Sequence, residues 1–285
     1  MSAHATRRAV AAVLVSVGVL LTGPPVPAQQ TAEQLRVQAD QGNVTAQSTL
    51  EARAAQGDAT AQFALAGMYA DADGPLTRNT VEATRWLRLA AAQGHEAAQL
   101  SLGVFYLVGE GVPQDPVEAE RWFRMAAEQG NALAQNHLGH IYQGAPEPFR
   151  TDRDLPVDHA ESIHWFRLSA EQGHLPAAIS LALKYRDGTG VPKTLEQAFR
   201  WFLWAADLGD VAAMTEVGGM YAAGRGVAQD DVSAYMWLDL ATRYAGGEDR
   251  EFLLIDREGV AQRLNARQIA EAERRANEWT PMLPR

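Results

Sequence analysis

Tryptophan recurs at fixed distance through most of this 285-residue chain, at Trp86, Trp122, Trp165, Trp201 and Trp237, with intervals of 36, 43, 36 and 36 residues. Tyrosine keeps step with it at Tyr69, Tyr106, Tyr142, Tyr185 and Tyr221. Two independent columns with nearly one period define an array of repeated structural units. Each unit of such an array buries its apolar face only against its neighbours. An array builds a surface, and the expectation is a protein that holds other molecules rather than one that transforms them.

Residues 97–130 show what one unit contains. Residues 97–108 read as a helix, Gly109 to Asp115 as a turn, and Pro116 to Gly130 as a second helix. In the first helix an alanine stands eight residues before each tyrosine: Ala61, Ala98, Ala134, Ala177 and Ala213. Leu65, Leu102, Leu138, Leu181 and Val217 follow four residues later, so both columns share one buried face. Ala66, Gly103, Gly139, Ala182 and Gly218 form a column of small residues. Such a column makes room for a large ring, and the tryptophan of the second helix is the expected one. Seven residues before each tryptophan stand Asn79, Asp115, Asp158, Thr194 and Asp230, all good N-caps. Glu82, Glu118, Glu161 and Gln197 follow three residues on and predict capping boxes. Gly57, Gly94, Gly130, Gly173 and Gly209 predict left-handed helix ends.

The phrases Gly109-Glu110-Gly111-Val112, Gly188-Thr189-Gly190-Val191 and Gly224-Arg225-Gly226-Val227 resemble Sel-one-like repeats. So does Ala126-Ala127-Glu128-Gln129-Gly130-Asn131-Ala132 with its copies. The family is related to tetratricopeptide repeats, and the resemblance covers about residues 38–245. It implies an all-α fold: a right-handed superhelical solenoid of antiparallel helix pairs that works as an adaptor for protein complexes. The array itself is expected over 58–245, with truncated capping helices over 29–57. At the other end, 246–260 reads as a charged connector. Asn265 and Gln268 predict a capping box opening a terminal helix, with Ile269, Ala272, Ala276 and Trp279 on one face.

Residues 1–28 read as a signal peptide: Arg7 and Arg8, an apolar run from Ala9 to Leu21, helix breakers at Gly23 to Pro25, and a small residue at Ala28. The run is too short to cross a bilayer, which takes about 20 residues. The expected location is periplasmic or secreted, with no membrane insertion after cleavage. Formal net charge is −10, and −12 without the two leading arginines. That balance opposes nucleic-acid partners and anionic lipid. Without cysteine no disulfide, thiol nucleophile or zinc–thiolate site can form.

The Gly-x-Gly turns recur in register with the repeat and do not open a helix after a strand, so they read as connectors rather than phosphate cradles. Aromatic periodicity marks core rather than a ligand platform. No cofactor, metal site or nucleophile–base pair is expected. His95 and His174 sit in the turn column beside Asp58, Asn131 and Asp210. His137 and His140 occupy columns that change from unit to unit, five and two residues before the tyrosine, and Glu216 shares the column of His137. Variation inside a strict repeat marks surface the fold does not need. His137, His140 and Glu216 are therefore the candidate partner contacts. Phe149, flanked by Arg150 and Arg153 in the insertion at 144–156, is the fourth. The expected partner is a protein or peptide, or a cell-wall component. The alternative is an exported hydrolase or penicillin-recognising protein, an activity the resemblance to cysteine-rich exported relatives implies.

Overall fold

The computed structural model describes residues 30–71, 76–144 and 155–282. Among them are fourteen helices and no strand. The chain divides into two units, 1–157 and 158–285. The first holds α1 (Ala32–Asp40), α2 (Val44–Ala55), α3 (Ala59–Ala70), α4 (Thr80–Ala92), α5 (Glu96–Val108), α6 (Pro116–Glu128) and α7 (Ala132–Gln143). The second holds α8 (His159–Glu171), α9 (Leu175–Asp187), α10 (Leu195–Asp207), α11 (Val211–Ala223), α12 (Asp231–Tyr244), α13 (Gly247–Ala261) and α14 (Ala266–Glu278). Within each unit successive helices pack on one another, as in a solenoid. No described helix is long and apolar enough to cross a membrane. The signal-peptide reading of 1–28 lies outside the described residues.

The caps explain where the second helix of each pair starts. Side chains of Asn79, Asp115, Asp158 and Asp230 accept hydrogen bonds from backbone N–H groups of the first turn. Thr194 holds the N-cap position without such a bond, and its hydroxyl donates to the Pro192 carbonyl. The capping boxes expected at Glu82, Glu118, Glu161 and Gln197 do not form. The reason is a competing acceptor. The backbone N–H groups of Asn79, Asp115, Thr194 and Asp230 donate to the carbonyls of Tyr69, Tyr106, Tyr185 and Tyr221, at 2.8, 2.9, 3.0 and 3.1 Å. At Glu82, Glu118 and Gln197 the N-cap N–H is thus already used; Glu82 pairs with Arg85 and Glu118 with Arg121, while Glu161 accepts from the Trp165 indole. Complete boxes close at Thr31 with Gln34 and at Asn265 with Gln268. The glycines ending the second helices adopt φ between 84° and 100°.

The ring against the small-residue column is not the tryptophan. A β-carbon on Gly103 would lie 2.7 Å from the Phe123 ring, and one on Gly218 2.7 Å from Leu238. The innermost column is the residue after each tryptophan: Leu87, Phe123, Phe166, Phe202 and Leu238, all at most 2 % exposed. One residue step turns about 100° around a helix, which leaves the tryptophan on the shoulder of that face. There Arg85 covers Trp86 at 4.7 Å and Arg121 covers Trp122 at 5.1 Å, as cation–π pairs.

A glutamine ladder runs through the first unit. Gln62, Gln99 and Gln135 are buried, and each donates to the carbonyl of Ala54, Ala91 or Ala127 at the end of the preceding helix. Gln93 then donates to Gln62 at 2.8 Å and Gln129 to Gln99 at 2.7 Å. Each buried amide thereby meets its hydrogen-bonding needs. In the second unit Gln172 continues the column of Gln93 and Gln129 and Leu208 ends it, while Ala178 and Met214 stand in the buried column as core residues.

The connector expected at 246–260 is the helix α13. Leu253 and Val260 are buried, and Arg257 between them reaches Asp239 of α12 at 2.9 Å. Spacing of four and three residues puts all three on one face. The terminal helix forms as expected, with Ala272 and Ala276 buried. Both α13 and α14 pack on α12.

Candidate interaction faces

His137 lies on α7 with its ring stacked on Phe123, centroids 4.6 Å apart and planes 11° from parallel. It is half-buried, while His140 one turn on is exposed. Glu216 lies on α11, half-buried, and pairs with Arg186 of α9 at 2.9 Å. Phe149 lies outside the described residues. The column of His137 and Glu216 is therefore not open throughout. Ala64 and Ser101 are buried in it, because α3 and α5 are covered on almost every side. The column opens from His137 onward: His137, Ser180 and Glu216 are all partly exposed. His140 shares its column with buried Gly67 and Val104.

The other histidines have local tasks. The His95 ring nitrogen caps α5 by accepting from Ala98 N–H, and burial lowers its proton affinity. His174 occupies the N-cap of α9 without a side-chain bond. His164 sits edge-on to Trp165 at 5.1 Å. Among the described residues no three His, Asp or Glu side chains are placed to hold a metal ion. The Gly-x-Gly turns are packed joints. A β-carbon on Gly111 or Gly226 would lie 2.2 Å from the carbonyl oxygen of Thr80 or Leu195. Both glycines have positive φ, 69° and 72°. Only glycine fits there.

The tyrosine column is anchored by arginine. Arg88, Arg124 and Arg167 donate to the hydroxyls of Tyr106, Tyr142 and Tyr185. At Tyr142 the hydroxyl also donates to Glu120, 2.7 Å away. Burial, then this carboxylate, push the Tyr142 phenol up to about 12. A phenol held protonated in this way is a structural donor, not a base.

Lys184 is the residue that sequence reasoning missed. Its column holds Met68, Phe105, Ile141 and Met220, all buried. Lys184 is buried too, its ammonium 5.7 Å from the Phe166 ring centre and without a hydrogen-bond partner. The signal was a lysine in a column of large apolar residues.

These features define a class: a tandem α-hairpin repeat protein whose buried columns are given over to packing. The Sel1 repeat model matches residues 59–95, 96–131, 132–174, 175–210 and 211–243, and the chain belongs to the Sel1 repeat family. Sel1 repeats serve generally as protein-interaction scaffolds, and the fold is typically non-enzymatic. A Sel1 repeat protein of Oxalobacter formigenes is 25 % identical, with a TM-score of 0.67, over 87 % of this chain and 98 % of that one. A protective antigen of uropathogenic Escherichia coli with an SLR fold is 24 % identical, with a TM-score of 0.34, over 87 % of this chain and 71 % of that one. No match was found among curated proteins.

Proposed function

We propose that this chain is a non-catalytic scaffold of the cell envelope that holds a protein or peptide partner, or a cell-wall component, on the variable positions of its first helices. The observation that carries the reading is the contrast between columns. Alanine, leucine, glycine and the residue after tryptophan are fixed by packing, while positions five and two before the tyrosine differ from each unit to the next. His137 and His140 form one patch and Glu216 belongs to another. The insertion around Phe149 is a third contact. The formal net charge of −10 favours a polar peptide over an anionic polymer as partner.

Partner capture tests this. The triple variant His137→Ala, His140→Ala, Glu216→Ala and a deletion of 146–153 are compared with wild type in pull-downs from envelope extract. Loss of a partner by either folded variant is expected. Retention of every partner by both removes these faces from consideration. The envelope location rests on the order of residues 7–28 and predicts a mature chain beginning at Gln29. N-terminal sequencing of exported material checks it, and an intact Met1 on protein confined to the cytoplasm would contradict it.

A further inference from the structure

After α14 the chain is extended and turns back across the end of α12 to the end of α10. Trp279 has φ −70° and ψ 139°. Its indole packs edge-on against Trp237 and Tyr244, with ring centroids 6.0 Å away in each case. The indole N–H, which can only donate, faces the carboxylate of Asp207, the last residue of α10; burial raises that carboxyl's pKa and the indole partly offsets the rise. The backbone N–H of Met282 donates to the Asp207 carbonyl at 2.7 Å. Pro281 lies 3.9 Å from where a β-carbon on Gly209 would be. Asp207 therefore meets the segment with its backbone carbonyl, which accepts from Met282, and with its carboxylate, which faces the indole. Its carbonyl is one of those a helix end leaves without an internal partner, and proline presets the backbone of the segment that reaches it.

The contact is shallow. Thr280, Pro281 and Met282 are exposed, and Tyr244 keeps 55 % of its surface in water. The Trp279 indole packs against the core at Trp237, and beyond it one backbone hydrogen bond holds the exposed residues. The equivalent turn glycines Gly57, Gly94 and Gly130 have nothing within 4 Å of that β-carbon position. Covering of this turn is thus absent at Gly57, Gly94 and Gly130 of the first unit.

We propose that the ends of α10 and α12 form a binding site for an extended aromatic-x-Pro-apolar segment of a partner protein, filled in cis by Trp279–Met282 until such a segment displaces it. The slot between Trp237 and Tyr244 takes the aromatic ring. The Asp207 carboxylate selects a ring that carries an N–H donor, its carbonyl accepts from the partner backbone, and the bare Gly209 admits proline. The site is separate from the faces on α7 and α11.

The probe is a fluorescent peptide of residues 277–285, titrated into the full chain by polarisation. Acceptors are wild type, Trp279→Ala, and a Thr280→Gly, Pro281→Gly double variant that loosens the segment at exposed positions. Both variants should bind at least roughly tenfold more tightly than wild type, because the segment in cis reduces the competent fraction. Asp207→Ala in either background, or tryptophan to alanine in the peptide, should abolish binding. If Trp279→Ala does not fold by circular dichroism, the double variant decides. Absence of binding to the folded double variant overturns the proposal. So does binding that survives Asp207→Ala, or a dimer formed by exchange of the segment between two copies.

Discussion

Phe123→Ala should cost the first unit about 3–5 kcal/mol, more than Trp122→Ala. Phe123 is fully buried, and its ring fills the space that Gly103 leaves by having no side chain. Removing it opens a cavity between α5 and α6 that backbone cannot close, because both helices are fixed by their other neighbours. Trp122 keeps 9 % of its surface exposed, and its face is covered by a mobile arginine. Arg121 can settle into part of the space a lost indole leaves. Since each repeat contacts only its neighbours, α5 and α6 should lose protection first. Denaturant unfolding with hydrogen exchange reads both effects. A larger loss at Trp122 than at Phe123 would show that the tryptophan, after all, is the inner ring.

Lys184→Met should stabilise the second unit, by about 1–4 kcal/mol on the scale seen when buried charge is replaced by apolar side chains. Methionine already fills this column at Met68 and Met220, so volume and rotamer suit the site. The ammonium of Lys184 has neither a carboxylate nor a carbonyl within hydrogen-bond reach, only the Phe166 ring. Burial therefore pushes its pKa below the ordinary 10.5. A lysine depressed in the folded state leaves the unfolded chain holding the extra proton between the two values. Stability attributable to Lys184 thus rises with pH across that window and is flat below it. Tyr142, Tyr221 and Tyr235 are shifted upward and act in the opposite sense once pH passes their ordinary value. The difference between wild type and Lys184→Met isolates the lysine. That difference should shrink as pH approaches 10.5, and a difference that stays constant would mean the amine finds a partner.

Most of the fold is legible in the sequence because packing repeats. A column of Ala61, Ala98, Ala134, Ala177 and Ala213 has one explanation, a helix face pressed on another backbone, and all five are buried. The caps were legible for the same reason. The capping boxes were not, because the Tyr69 and Tyr106 carbonyls that pre-empt them come from another helix, and no local pattern records that. Choosing Trp122 over Phe123 as the inner ring fails by one residue, which periodicity averaged over five units does not resolve. Helix α13 was hidden by its charge. Its buried apolar residues are Leu253 and Val260, with Arg257 between them aimed at Asp239. The segment Trp279–Met282 has no second copy in the array, so repetition said nothing of it. Among the candidate contacts, the variable column was legible. Its closure at Ala64 and Ser101 was not, since that depends on how tightly α3 and α5 are enclosed.

The scaffold reading is tested most directly by hydrogen–deuterium exchange on the chain alone and with a captured partner. The account predicts added protection in peptides covering 132–143 and 211–223, where His137, His140 and Glu216 lie, with the buried columns unchanged. Protection confined to other segments, or none on addition of a partner that co-purifies, would contradict it.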